Sequence, residues 1–328
     1  MDGTSEGHRP GVRVYVDEVR TLRFDDGAPV TAASGIAPLG DGWLLAQDDS
    51  THAAWLRDGA VRAVRVLPPV DGLDLFSEAA GTKRLKPDLE VACPAEVDGE
   101  PAVLLLGSGS TPQRMRGVLV RLTNGRPQVA AAELGPLYAA VAARLDLPAE
   151  HLNLEGASRH GDTVRWFNRG NLSAGVVSAS VDVPLEALVD AVLGGDAASV
   201  PVGRSLAYEL GEVEGVGLAV TDAIALPDGR VLLSAAAEDS PNAVDDGPVV
   251  ATALALVDGD RVVDLVALPE VDGHVHKVEG LALRRFADGE AHLLAVVDDD
   301  DPDVPSTVLG LRVDLTAGRQ RVKRATDV

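Results

Sequence analysis

Five residues able to offer oxygen to a hard cation head five similar segments of the chain: Ser34, Glu90, Glu155, Asp222 and Glu279. Small or apolar residues follow each, as in Ser34-Gly35-Ile36-Ala37, Glu90-Val91-Ala92, Glu155-Gly156-Ala157, Asp222-Ala223-Ile224-Ala225 and Glu279-Gly280-Leu281-Ala282. If the segments lie side by side around one axis, their carboxylates crowd together and cannot all stay ionised. Like charge and burial both raise a carboxyl pKa. A divalent cation removes the conflict. Several oxygens in a flexible ring suit Ca2+, whereas Mg2+ prefers a tight octahedron with retained water. Neither Cys nor His occupies these places, which argues against zinc. The competing account leaves acids at strand starts facing solvent, or paired with water and arginine in a tunnel.

The elements that must carry these residues are short strands. The five segments start 56, 65, 67 and 57 residues apart, enough for four strands and their loops. Turn signals follow at Asp41-Gly42, Asp98-Gly99, His160-Gly161-Asp162, Asp228-Gly229 and Asp288-Gly289, and apolar runs come next at 43–46, 102–106, 164–167, 231–233 and 291–297. Asp-Gly between apolar runs marks a hairpin, because both central turn residues need positive φ. Five such sheets arranged radially predict an all-β fold, a single β-propeller of five blades spanning residues 10–317. A strand over 12–24 closes the last blade. Six blades is the alternative, if residues 10–33 and 305–325 form a degenerate blade. Residues 1–9 and 318–328 read as disordered, and two short inserted helices are expected over 136–145 and 184–193.

Composition excludes several classes of function. With 51 acidic residues against 29 basic ones the formal net charge is −22, a surface that repels phosphate backbones and anionic lipid. Neither nucleic acid nor membrane is expected as a partner. The expectation is a monomer that takes a small molecule. The single cysteine, Cys93, rules out an intrachain disulfide and reads as a small buried hydrophobe. The first residues are polar and no run approaches the roughly 18 apolar residues of a membrane span. A cytoplasmic protein is the simplest reading, with secretion after removal of a leader left open.

The order Ser, Glu, Glu, Asp, Glu around five blades resembles that of the calcium-activated apyrases, five-bladed propellers that hydrolyse nucleoside di- and triphosphates. The matching segments are Ser34-Gly35-Ile36, Leu89-Glu90-Val91-Ala92, Leu154-Glu155-Gly156-Ala157 and Lys277-Val278-Glu279-Gly280-Leu281. Two more are Leu44-Leu45-Ala46-Gln47-Asp48-Asp49 and Arg165-Trp166-Phe167-Asn168-Arg169, similar to that family's first-blade strand ending in paired aspartates and third-blade strand ending in a basic residue. The resemblance implies a central Ca2+ held by Ser34, Glu90, Glu155, Asp222 and Glu279. It departs at Asp222, where that family carries Ser, and at Asn168-Arg169-Gly170, where it carries an Arg pair. The chain also resembles bacterial propellers with the same Leu-Glu-Gly and Val-Glu-Gly strands.

Ends of the second strands should gather at one tunnel mouth, bringing Asp48, Asp49, Ser108, Ser110, Asn168, Arg169, Asn171, Glu238, Asp239, Asp298 and Asp299 together. Asp48 or Asp49 is the candidate base and Arg169 the group that steadies developing negative charge. Arg114, Arg116, Asn168, Lys277 and Asp298 are candidate substrate contacts, the arginines being suited to bidentate grip on phosphate or carboxylate. Surface salt bridges are the competing account of the arginines. Three functional classes stay open. One is a metal-dependent hydrolase, apyrase-like or lactonase-like, acting on a phosphoanhydride or a related phosphate or ester. Another is a non-catalytic propeller pinned by a structural Ca2+ that binds a small molecule or protein at the tunnel mouth. The last is a metal-free interaction platform.

Overall fold

Short apolar runs broken by tight turns cannot bury both faces alone, so they stack as antiparallel sheets around a common axis. The computed structural model describes residues 11–238, 247–298 and 304–316, so the expectations for residues 1–9 and 318–328 and for Asp239 and Asp299 lie outside it. Blade one comprises Ala33–Leu39, Gly42–Gln47, His52–Arg57 and Ala60–Arg65. Blade two comprises Leu89–Val97, Glu100–Gly107, Arg116–Thr123 and Arg126–Glu133. Blade three comprises Leu154–His160, Thr163–Asn168, Ser178–Pro184 and Ser205–Tyr208. Blade four runs Val216–Ala225, Val231–Glu238, Val249–Asp258 and Arg261–Ala267, with a short strand Glu212–Val213 added on its inner side.

Blade five settles the blade number. Its first three strands, Lys277–Ala287, Glu290–Asp298 and Thr307–Asp314, come from the C-terminal end, and Arg13–Thr21 supplies the outermost strand. Arg13 pairs opposite Asp314 and Thr21 opposite Thr307. The two segments considered for a sixth blade therefore complete the fifth. The propeller has five blades, closed by the N-terminal strand, a radial arrangement that leaves only short, protected sheet edges.

Each inner strand touches the inner strands of both neighbours, which makes the five a ring around a central tunnel. Between every two adjacent blades lies one apolar cluster, five in all. The largest joins blades two and three and takes in the helices Gly135–Leu145 and Leu185–Val192, close to the expected spans. Tyr138 on the first helix meets Trp166 edge-on at 4.9 Å, and its hydroxyl donates to the Gly107 carbonyl at 2.7 Å. Fully burying one such side chain contributes roughly 1.5–3 kcal/mol. The turn chemistry follows the sequence at Asp98-Gly99 and Asp288-Gly289, where both residues have positive φ (55° and 77°, 55° and 80°).

Candidate functional site at the tunnel mouth

The same irregularity recurs in every inner strand. The pairing register slips between Ala33 and Gly35, Leu89 and Val91, Leu154 and Gly156, Val220 and Asp222, and Val278 and Gly280. A bulge of this kind leaves one residue outside the ladder and re-aims its side chain. The residues stepped over are Ser34, Glu90, Glu155, Thr221 and Glu279. Four are those read from the sequence, and the fourth blade corrects the alignment by one residue. Thr221, not Asp222, is in phase. The hydrogen bonds agree: Ser34 Oγ donates to the Leu89 carbonyl and Thr221 Oγ1 to the Val278 carbonyl, each at 2.5 Å, in each case the residue before the next blade's bulge.

Asp222 does something else. Its Oδ2 accepts the Leu281 N–H at 2.6 Å and its Oδ1 the Ala157 N–H at 3.3 Å, so one carboxylate ties blades three, four and five together at the axis. Glycines make this possible. A Cβ on Gly156 would stand 2.6 Å from the Asp222 Cα, and one on Gly280 would stand 2.7 Å from the Gly35 Cα. Burial pushes the Asp222 carboxyl well above its ordinary pKa, against the pull of the backbone N–H groups of Leu281, Ala223 and Ala157.

Above the bulges opens a cavity of about 430 Å³. Ser34, Glu90, Glu155 and Glu279 reach it from the ring, and Asp48, Asp88, Glu238 and Asp298 from the surrounding strand ends and loops. Four cations are threaded among them. Lys86 bonds Asp48 and lies 2.8 Å from Asp88; Arg114 lies 2.9 Å from Asp88 and from Ser110 Oγ. Arg169 spans Glu155 at 3.0 Å and Glu238 at 2.8 Å, while Lys277 spans Glu238 at 3.0 Å and Glu279 at 2.8 Å. Among the described residues, nine carboxylates line the cavity, Asp48, Asp88, Glu90, Glu155, Glu238, Glu279 and Asp298 within it and the exposed Glu150 and Glu212 at its rim, against four cations. The balance is negative by five charges if all are ionised.

The titration behaviour follows from this arrangement. Burial drives Glu90 well above the carboxylate range, reinforced by the charges of Asp88 and Asp48 and only partly relieved by Lys86. Burial likewise raises Glu155 to about 7 against the opposing charge of Arg169. For Asp88 burial works upward too, but Lys86 and Arg114 outweigh it and hold the group below its ordinary value. Lys86 and Arg169 are held protonated by their acids despite burial. One oxygen of Glu155, Oε2, is buried without any hydrogen-bond partner, while Oε1 takes Asn153 Nδ2 at 2.7 Å and Arg169.

Such a donor set fits a hard divalent cation: every candidate ligand is oxygen, one carboxylate oxygen is orphaned, and the charge is in deficit. Among the described residues, Asp48, Asp88 and Glu90 can bring one oxygen each within 4.8 Å of one another. Lys86 lies between the first two. Glu155 and Glu279 turn sideways toward Arg169 and Lys277.

The remaining predicted residues divide. Asp48 lines the cavity, and so do Arg169, Arg114, Lys277 and Asp298. Arg169, Arg114 and Lys277 direct their donors to acids of the protein, and Asp298 Oδ1 accepts the Ala32 N–H at 2.9 Å and the Ser306 hydroxyl at 2.5 Å. Asp49 stands behind the wall, where its Oδ2 takes the Thr31 hydroxyl at 3.1 Å. Arg116 lies off the cavity, its Nε on the Gln113 carbonyl at 2.6 Å. Asn168 is wholly buried and braces the loop, accepting the Asn153 N–H at 2.7 Å and donating to the Arg169 carbonyl at 3.0 Å. Asp88 and Asn153 went unread. Each sits two residues before a ring glutamate, a spacing that could have flagged both.

Residues 82–302 match DUF6910, a family of unknown function. The chain belongs to this family. Among curated proteins none matches. Solved structures similar to this DUF6910 chain include a hypothetical protein from Leishmania major, at 11% identity and TM-score 0.44, covering 90% of both chains. A luciferin-regenerating enzyme aligns at 12% identity and TM-score 0.39 over 87% of this chain and 78% of its own. A gluconolactonase from Xanthomonas campestris aligns at 12% identity and TM-score 0.36 over 92% and 99%. No helix among the described residues is long and apolar enough to cross a membrane.

Proposed function

We propose that the tunnel mouth is a divalent-cation-dependent hydrolytic centre, with Ca2+ held over the ring and a phosphate ester, phosphoanhydride or carboxylic ester as substrate. The observation that carries this is the five-fold repeat of in-phase bulges at Ser34, Glu90, Glu155, Thr221 and Glu279, four of which line the cavity at one end of the tunnel. With Thr221 in phase the order becomes hydroxyl, Glu, Glu, hydroxyl, Glu. That removes the departure at the fourth blade from the calcium-activated apyrases the sequence resembles.

Glu90 and Asp88, which with Asp48 can bring one oxygen each within 4.8 Å of one another, would hold the ion, and the unpartnered Oε2 of Glu155 offers a further donor. When bound, the ion supplies Lewis-acid polarisation of a substrate oxygen. The protein's own groups do the rest. Arg169 and Lys277 fix the positions of Glu155, Glu238 and Glu279, so the ring does not collapse or splay when the charge above it changes. Asp48, on the cavity wall, is placed to take a proton from water. Lys86 keeps it oriented.

The test is elemental analysis of the purified protein, then Ca2+ titration by thermal shift, then a panel of phosphate, phosphoanhydride and carboxylic esters with and without chelator. Bound Ca2+, a raised Tm and chelator-sensitive turnover that is lost in Glu155→Gln are expected. A raised Tm without turnover of any substrate would make the ion structural. No retained metal and no Tm change on titration would overturn the proposal.

A further inference from the structure

We infer that the substrate is an uncharged carboxylic ester or lactone bearing a compact apolar substituent, and not a polyphosphate. The inference rests on the hydrolytic reading above and narrows its substrate. Two independent features of the cavity carry it.

The first is charge. A polyphosphate brings three or four negative charges and needs free cationic donors to receive them. Among the described residues, all four cations of the cavity are committed: Lys86 to Asp48 and Asp88, Arg114 to Asp88, Arg169 to Glu155 and Glu238, Lys277 to Glu238 and Glu279. The remaining balance is already negative, so one divalent ion is absorbed by the protein before any anion arrives. A neutral ester makes no such demand. Its acyl oxygen needs a single polarising centre.

The second is shape. One flank of the mouth carries an apolar patch, Leu172, Ala174 and Val176 on a loop and Val216 and Ala219 on the inner strand of blade four, with Ser173 and Glu212 beside it. The loop is built, not draped. Asn171 and Val176 exchange backbone hydrogen bonds at 2.8 and 2.9 Å, and Asn171 Oδ1 accepts the Ser173 hydroxyl at 2.6 Å and the Ala174 N–H at 3.3 Å. Leu172 rests on Gly217, where a Cβ would come within 2.4 Å of the Leu172 Cδ1, so the glycine is what seats the leucine. Yet Leu172 keeps 45% of its surface exposed at the mouth of a charged cavity. A solvent-exposed leucine held this firmly beside the ring offers an apolar substituent a wall to lie against.

The step balances simply. Water's oxygen bonds the acyl carbon and the acyl–oxygen bond breaks. One water proton stays on the acid product, and the other passes by way of a cavity carboxylate to the departing alkoxide.

The experiment compares p-nitrophenyl acetate, p-nitrophenyl butyrate, γ-butyrolactone, ADP and pyrophosphate with the full chain in Ca2+, for wild type, Leu172→Asp and Leu172→Met. Ester or lactone kcat/KM at least 100-fold above that for ADP and pyrophosphate is expected. Butyrate should be preferred over acetate by about tenfold, since two methylenes against the wall are worth about that much. The preference should fall to threefold or less in Leu172→Asp and persist in Leu172→Met. Faster turnover of ADP or pyrophosphate, or a butyrate preference unaltered in Leu172→Asp, overturns the inference while leaving the hydrolytic reading standing. Turnover of nothing in the panel sinks both.

Discussion

Asp49 offers a sharp test of the electrostatics behind the tunnel wall. Burial and the charges of Asp48 and Asp298 raise its carboxyl to about 7, against the Thr31 hydrogen bond and the charge of Lys86; Oδ1 has no partner. The reference carboxyl titrates near 3.8. Below that pH the group is neutral folded and unfolded, and has no effect on the balance. As pH rises toward 7 the unfolded chain releases the proton and the folded chain keeps it, so stability falls by about 1.4 kcal/mol per unit, roughly 4 kcal/mol in total. A carboxamide in place of the carboxyl would carry no charge at any pH and still accept from Thr31, but would bury an unpaired N–H at about 1–2 kcal/mol. Asp49→Asn should therefore be less stable than wild type by about 1–2 kcal/mol at pH 4 and more stable by about 2–3 kcal/mol at pH 8. At about 2 °C per kcal/mol for a chain of this size, the gain at pH 8 is about 5 °C in Tm. Guanidinium unfolding followed by Trp fluorescence from pH 4 to 8, in chelator, measures both. If the difference between the two proteins stays constant across that range, Asp49 is ionised in the folded state and the reasoning fails.

Asp222→Ala should cost at least about 3 kcal/mol, because backbone N–H groups of three blades lose their acceptor at the axis; Asp222→Asn should cost less, and chemical denaturation separates them. Lys86→Met should destabilise by about 3 kcal/mol by removing the cation that Asp48 and the buried Asp88 share. Millimolar Ca2+ should return part of that stability, since Asp48, Asp88 and Glu90 can converge within 4.8 Å. No recovery in a Tm titration would show that the trio does not take an ion. Cys93 is buried, with its thiol pushed up to about 12, so a disulfide exchange reagent at pH 8 should leave it unlabelled until the protein unfolds.

Blade count and closure were readable because the signals are local. Asp98-Gly99 and Asp288-Gly289 need only two adjacent residues to make a turn, and the apolar runs around 102–106 and 291–297 mark strands buried on both faces. Ring positions Ser34, Glu90, Glu155 and Glu279 were legible by their repeat. Thr221 was missed because bulges leave no signature in periodicity: a carboxylate one residue on, Asp222, satisfied the same pattern while pointing into a different set of partners. Arg116 and Asn168 lie off the cavity for a related reason. Sequence put Asn168 at a strand end and Arg116 beside Arg114, but could not say which side of the wall either faces.

The pairing of charges belongs to the tertiary structure alone. Glu238 meets Arg169 from blade three and Lys277 from blade five, residues 69 and 39 positions away along the chain, because radial closure brings three strand ends to one mouth. The amino-acid sequence by itself determined that five repeats would stack and that acids would head their inner strands, since turns and burial patterns act over a few residues. Which acids keep a cation partner, which oxygen is left bare and which carboxylate clasps the axis were decided only by the packing. Coulomb energy and hydrogen bonding depend on ångströms of separation that no local pattern encodes.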